Sequence, residues 1–155
     1  MKGKPKSRRR TMKVLRLWPH PEAVKALPYF RSIMTSLRED WLDLHRLKRR
    51  LRRLDGKPGR PDRTALLERE AIATDSQEAA ERFDESLREL MALDVYCVDP
   101  VEGLALIPFR KGDELAWFVF DLFDPERLEN WRLHNDPIET RRPLAEAIEE
   151  PRKSA

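Results

Sequence analysis

The sequence predicts an α+β fold: a long antiparallel helical hairpin packed on a small three-stranded antiparallel sheet, with a short C-terminal helix. Three observations predict it. Two long stretches with apolar residues at heptad spacing flank one loop rich in proline and glycine. Three short apolar or alternating runs follow, separated by turn residues. Helices come first and strands after, the order of segregated layers rather than of βα units.

The first stretch, residues 21–54, opens on Pro21 and Glu22, which suit a helix's first turn. Leu27, Met34 and Trp41 repeat at seven, and Phe30, Leu37, Leu44 and Leu51 form a second series. Leu47 and Leu54 carry the stripe on where Lys48 interrupts it. Pro28 marks either a kink or the true first turn. "DGKPGRPD" (55–62) is the connecting loop. The second stretch, 63–93, repeats Leu66, Ala73, Ala80 and Leu87, with Phe83 and Leu90 as partners. Its "TDSQ" (74–77) has the form of a capping box, so one helix and two helices are both open.

The strand region, 95–123, begins in "DVYCVD" (94–99) and continues through "LALIPF" (104–109) and "LAWFVFDLF" (115–123) as a meander. Gly112 supplies the hairpin turn between the last two. The third strand is apolar on both faces. Ala116, Phe118, Phe120 and Leu122 point one way; Leu115, Trp117, Val119 and Phe123 point the other, broken by Asp121. One face is expected on the helices. Leaving three large side chains of the other in water forgoes roughly 5–8 kcal/mol. The covers to expect are the segment with Leu128, Trp131 and Leu133, or a second copy of the chain. "DPERLENW" (124–131) reads as the start of a short helix over 124–134, with Asp124 as N-cap and Pro125 at N1.

Length and composition bound the rest. The chain has 155 residues, 40% hydrophobic and 38% charged, enough for one core. Residues 14–144 are expected to form that single domain, between a disordered basic tail (1–13) and a frayed tail (145–155). No apolar run approaches the ~18 residues of a membrane span. "MKGKPKSRRR" lacks the apolar core of a secretory signal. One cysteine, Cys97, excludes an internal disulfide and a cysteine-based zinc cluster, and fits a cytoplasmic setting.

The ordered stretches "EAVKALP", "LRELMALDVYCVDPVEGLALIPF", "FDPERLENW" and "RRPL" resemble the uncharacterised bacterial family called domain of unknown function 2203, over about residues 20 to 144. The resemblance implies a helical hairpin on a small antiparallel sheet in a bacterial cytoplasmic protein, and implies no activity. The family commonly has a Trp-His pair where this chain has Trp131 and Arg132; His134 lies two positions on.

Catalytic signatures are not prominent. There is no glycine-rich phosphate loop, no Gly-x-Ser-x-Gly elbow and no cofactor motif, and the three histidines are far apart. A small enzyme or metal site could still form around His134, Asp136 and Arg141. Cys97, in a strand, reads as a small hydrophobe. Asp121 asks for a cation, with Arg110, Arg132, Arg141 and Arg142 as candidates and Arg141 and Arg142 preferred.

Charge is strongly segregated. Residues 21–54 hold nine bases against four acids, and 64–94 hold three against nine. Residues 45–63 hold nine bases against two acids. The arginines Arg8, Arg9 and Arg10 of the tail, with Arg49, Arg50, Arg52 and Arg53, are candidates to grip nucleic-acid phosphates without reading sequence. The opposing expectation is that these bases complement their helix dipole or pair with the acidic second helix. The first expectation for function is a non-enzymatic interaction module that self-associates. Nonspecific RNA, DNA or ribosome binding is the second, and the small enzyme or metal site the third.

Overall fold

The computed structural model describes residues 14–124 and 128–144. The expected basic tail (1–13), with Arg8, Arg9 and Arg10, and the frayed end (145–155) lie outside the described residues.

Two helices replace the single one expected over 21–54. Helix α1 is His20–Lys25 and α2 is Leu27–Asp55. The break falls at Ala26, and Pro28 stands in the first turn of α2. Proline lacks the N–H that would continue α1's ladder, and its fixed φ suits a first turn. Helix α3 runs unbroken from Arg63 to Met91, so "TDSQ" is helix interior. Its cap is Asp62, whose Oδ1 accepts from the Ala65 N–H at 2.8 Å. Ala79, one turn on, is fully buried, as a small residue allows where two helices approach.

The sheet has five strands in the order β1-β2-β3-β4-β5, each antiparallel to its neighbour. They are Tyr96–Asp99, Leu104–Lys111, Glu114–Asp121, Asn130–Leu133 and Arg142–Pro143. The three expected strands are present, and two more replace the expected C-terminal helix. Residues 125–127 lie outside the described residues, but 130–133 pair with β3, placing Trp131 opposite Phe118 and Leu133 opposite Ala116. The cap-like Asp124-Pro125 outweighed this in the sequence, although Asn130 to Leu133 also alternates polar and apolar. The open edge of β3 decides for the strand, because its backbone N–H and C=O groups need partners.

The core lies between the helices and one sheet face. Trp18, Phe30, Met34, Leu37 and Leu90 meet Ile107, Phe109, Phe118, Phe120 and Trp131 there. Phe109 stacks on Phe118 with ring centroids 3.9 Å apart, and Trp131 meets Phe109 edge-on at 6.0 Å. Trp131 is therefore part of the helix-side core and does not fold over the second face. That face is covered in part: Leu106, Pro108 and Val119 are buried, Leu115 and Trp117 are half-buried, and Phe123 is 67% exposed.

The turns follow their sequence chemistry. Asp99 Oδ1 accepts from the N–H groups of Val101 and Glu102, closing the Asp-Pro turn. Gly103 follows at φ +71°, and a Cβ there would overlap the Leu122 side chain. Glycine is required twice over at that position.

Candidate nucleic-acid interface

Helices α2 and α3 outrun the sheet. The buried residues of α2 are Leu27, Phe30, Ile33, Met34, Leu37 and, farther on, Leu47; in α3 they are Ile72, Ala79 and Leu90. From Leu37 to Asp55 the chain rises roughly 27 Å at 1.5 Å per residue. This half of the hairpin is an arm of two helices packed on each other.

Three ion pairs mark its register: Arg82 on Asp40 at 3.1 Å, Arg50 on Glu68 at 3.1 Å, and Arg69 on Asp55 at 2.5 Å. Trp41 and Phe83, each next in sequence to a member of the first pair, meet beside it with ring centroids 5.8 Å apart. The register decides where the charges go. The acids of α3 run from Glu68 to Glu89 and lie along α2 from the sheet-proximal end as far as Arg50, which Glu68 holds. Midway along the arm the surface is mixed, with Asp43, Arg46 and Arg50 near Asp75, Glu78 and Arg82. The distal turns of α2 instead face the start of α3, which is "RTALL".

The tip is therefore cationic. Arg49, Arg52, Arg53, Lys57, Arg60 and Arg63 are all exposed and form no ion pair among the described residues. Arg50 is different, half-buried and held by Glu68. Arg49, Arg52 and Arg53 lie at i, i+3 and i+4, one neighbourhood of the outer helix surface. Arg52 and Arg53, in the last turn of α2, also complement its dipole, which leaves their charged heads in water. Of the four arginines singled out on this helix, three stand free for a ligand and one fixes the arm.

The second constellation lies where β4 leads to β5. Asp136 Oδ2 accepts from the Leu133 N–H at 2.8 Å and from Arg142 Nε at 2.8 Å; Oδ1 accepts from Arg142 Nη2 at 2.9 Å. This bidentate pairing, helped by the Leu133 amide, holds the Asp136 carboxyl well below its ordinary value, at about 2. Arg132 is only 7% exposed and donates through Nη1 to the carbonyls of Leu133 and Asp136. His134 Nδ1 faces the Trp117 indole N–H at 3.1 Å. Arg141 is exposed, and Asp136 is taken up by Arg142. Among the described residues no group of three or more His, Cys, Asp or Glu is placed to hold a metal.

The expected pairing of Asp121 with Arg141 or Arg142 is corrected here. Asp121 ends β3, and its Oδ1 accepts from the Phe123 N–H at 3.0 Å, turning the chain out of the strand. A carboxylate at a strand end finds a backbone donor and needs no arginine. Arg142 goes to Asp136, a residue whose own Asp-Pro turn lies within six residues of it.

A depressed carboxyl makes stability depend on pH in a known direction. Asp136 contributes stability that is fully present above the unfolded carboxylate range, near 4, and is lost as pH falls toward about 2. Asp136→Asn is expected to be less stable than the parent at neutral pH. Between pH 4 and 2 its melting temperature should fall less steeply. Parallel acid-limb slopes would show that Asp136 is not so held.

Burial pushes the Cys97 thiol up to about 11, with the nearby Asp99 charge adding to it, so it carries little thiolate at neutral pH. Among the described residues no helix is long and apolar enough to cross a membrane. Set beside known proteins, the chain matches no protein-family model, no curated protein and no solved structure, so the likeness to domain of unknown function 2203 rests on the stretches quoted above.

Proposed function

We propose that the chain is a non-enzymatic nucleic-acid-binding protein whose contact surface is the tip of the helical arm. The observation that carries this reading is the hairpin's register. The acids of α3 begin only at Glu68, which is taken by Arg50, and among the described residues Arg49, Arg52, Arg53, Lys57, Arg60 and Arg63 form no ion pair at the far end. The opposing expectation, that these bases pair with the acidic helix, is met by Arg50 on Glu68 and not by its neighbours. A cluster of like charges costs self-repulsion, and a polyanion relieves it while releasing counterions.

The contacts lie on one helix end and one loop, with no element shaped to read base edges in a groove. Binding is accordingly independent of sequence and steeply dependent on salt. With four to six phosphate contacts on a single strand, log K falls with log salt at a slope of about −3 to −4. Fluorescence anisotropy with mixed-sequence oligonucleotides between 50 and 300 mM salt tests this. Absence of binding at 50 mM, or binding indifferent to salt, would refute the reading.

Self-association had its motive in an uncovered sheet face. Leu106, Pro108 and Val119 are buried within one chain, while Leu115 and Trp117 are half-buried and Phe123 is exposed, so part of that face still offers a surface to a second copy. Light scattering at micromolar concentration measures the oligomeric state directly.

A further inference from the structure

Beside the cations, the arm's tip holds a cleft of about 370 Å³ between the loop and the facing helix ends. Leu54, Pro58, Pro61, Ala65 and Leu66 form an aliphatic wall, and Lys57, Arg60 and Asp62 are among the polar lining residues. Arg69, also at its wall, is drawn onto Asp55, so the two carry little net charge into the space. Leu66 is 49% exposed there, an apolar side chain open to solvent at the end of a highly charged arm.

Resting on the reading above, we propose that this cleft receives an unstacked base, so that the ligand of the arm is single-stranded RNA or DNA rather than a duplex. Phosphates alone would need only the cations. A concavity with an aliphatic wall of Leu54, Pro58, Pro61, Ala65 and Leu66 next to them matches the other half of a nucleotide, a flat and weakly hydrated ring. Its volume lies within the ~300–1,000 Å³ range of small-ligand sites. Duplex bases are stacked and paired and present no free ring to a cleft at the end of an arm; single strands do. The aliphatic side chains offer a base no donor or acceptor, and of the polar ones Asp55 and Arg69 hold each other and Asp62 caps α3, so the stacking contact itself does not read sequence. The contacts are aliphatic rather than aromatic, which places the gain at the low end of that known for base stacking, about tenfold per engaged base.

The test compares three ligands of equal length at one salt concentration: a single-stranded oligonucleotide, the same sugar-phosphate chain made abasic, and a duplex. Each is measured by anisotropy with the full chain and with Leu66→Gln. The parent should bind the base-bearing strand about tenfold more tightly than the abasic one, and more tightly than the duplex. Leu66→Gln should bring the first ratio toward one without changing the salt slope. DNA and RNA versions of the strand separate the two sources of the same chemistry. Equal affinity for the base-bearing and abasic strands, or preference for the duplex, overturns the cleft's role and leaves phosphate binding by the arm intact. Failure to bind any of the three overturns both readings.

Discussion

Replacing Arg49, Arg52 and Arg53 together by glutamine should lower affinity for a single-stranded oligonucleotide about a hundredfold at 0.1 M salt. The figure follows from counterion release. Each phosphate contact on a single strand contributes about 0.7 to the slope of log K against log salt, so three lost contacts flatten it by about 2. Glutamine is a good helix former, and none of the three side chains has an ion-pair partner among the described residues. The far-ultraviolet spectrum and melting temperature should therefore barely change. Arg50→Gln is the informative contrast. Arg50 is held by Glu68, so its loss should trim binding less and instead loosen the arm. The exposed pair is worth under ~1 kcal/mol, so the loosening is small. Unchanged affinity and slope in the triple variant would remove the tip from the proposed interface.

The second large effect is on stability. Phe118→Ala should cost about 3–5 kcal/mol, the usual range for truncating a buried phenylalanine. Phe118 is 2% exposed, stacks on Phe109 at 3.9 Å and takes the His20 ring edge-on at 5.5 Å, so its removal opens a cavity between α1 and the sheet. For a chain of this size each kcal/mol lowers the melting temperature by roughly 2–4 °C, giving a drop of about 6–20 °C. Phe123→Ala is the control. Phe123 belongs to the same apolar run in the sequence but is 67% exposed and lies past the end of β3. Its truncation should stay within about 0.5–1 kcal/mol, including the loss of the Arg38 guanidinium that sits 5.2 Å from its ring. Calorimetry on the two variants decides. Equal losses would refute the assignment of Phe118 to the core and of Phe123 to the surface.

The two phenylalanines show what a sequence determines and where it stops. Heptad spacing placed Phe30, Met34 and Leu37 on the buried face of α2, and alternation placed Ala116, Phe118 and Phe120 on the buried face of β3, because both periodicities are properties of the local backbone. The loop at 55–62 and the Asp-Pro turn before Gly103 were equally legible, since proline, glycine and aspartate act on their own dihedrals and nearest amides. The strand β4 was not, because a good helix-opening pair preceded it and the backbone partner that decides the matter, the free edge of β3, is ten or more residues away. Nor was the partner of Asp121: whether a carboxylate meets an arginine or an amide depends on where its strand ends.

The basic stretch belongs to both sides of this division. Nine bases between residues 45 and 63 are written in the sequence, and so is the acidic second helix. Whether opposite charges cancel depends on which turn of one helix lies beside which turn of the other. Packing of Leu47, Ile72 and Ala79 and the pairing of Asp40 with Arg82 set that alignment, and it brings the acids of α3 no closer to the end of α2 than Arg50, which Glu68 holds. Composition determined that the chain is charged and segregated. Only the antiparallel register left the positive charge concentrated and unpaired at the tip of an arm.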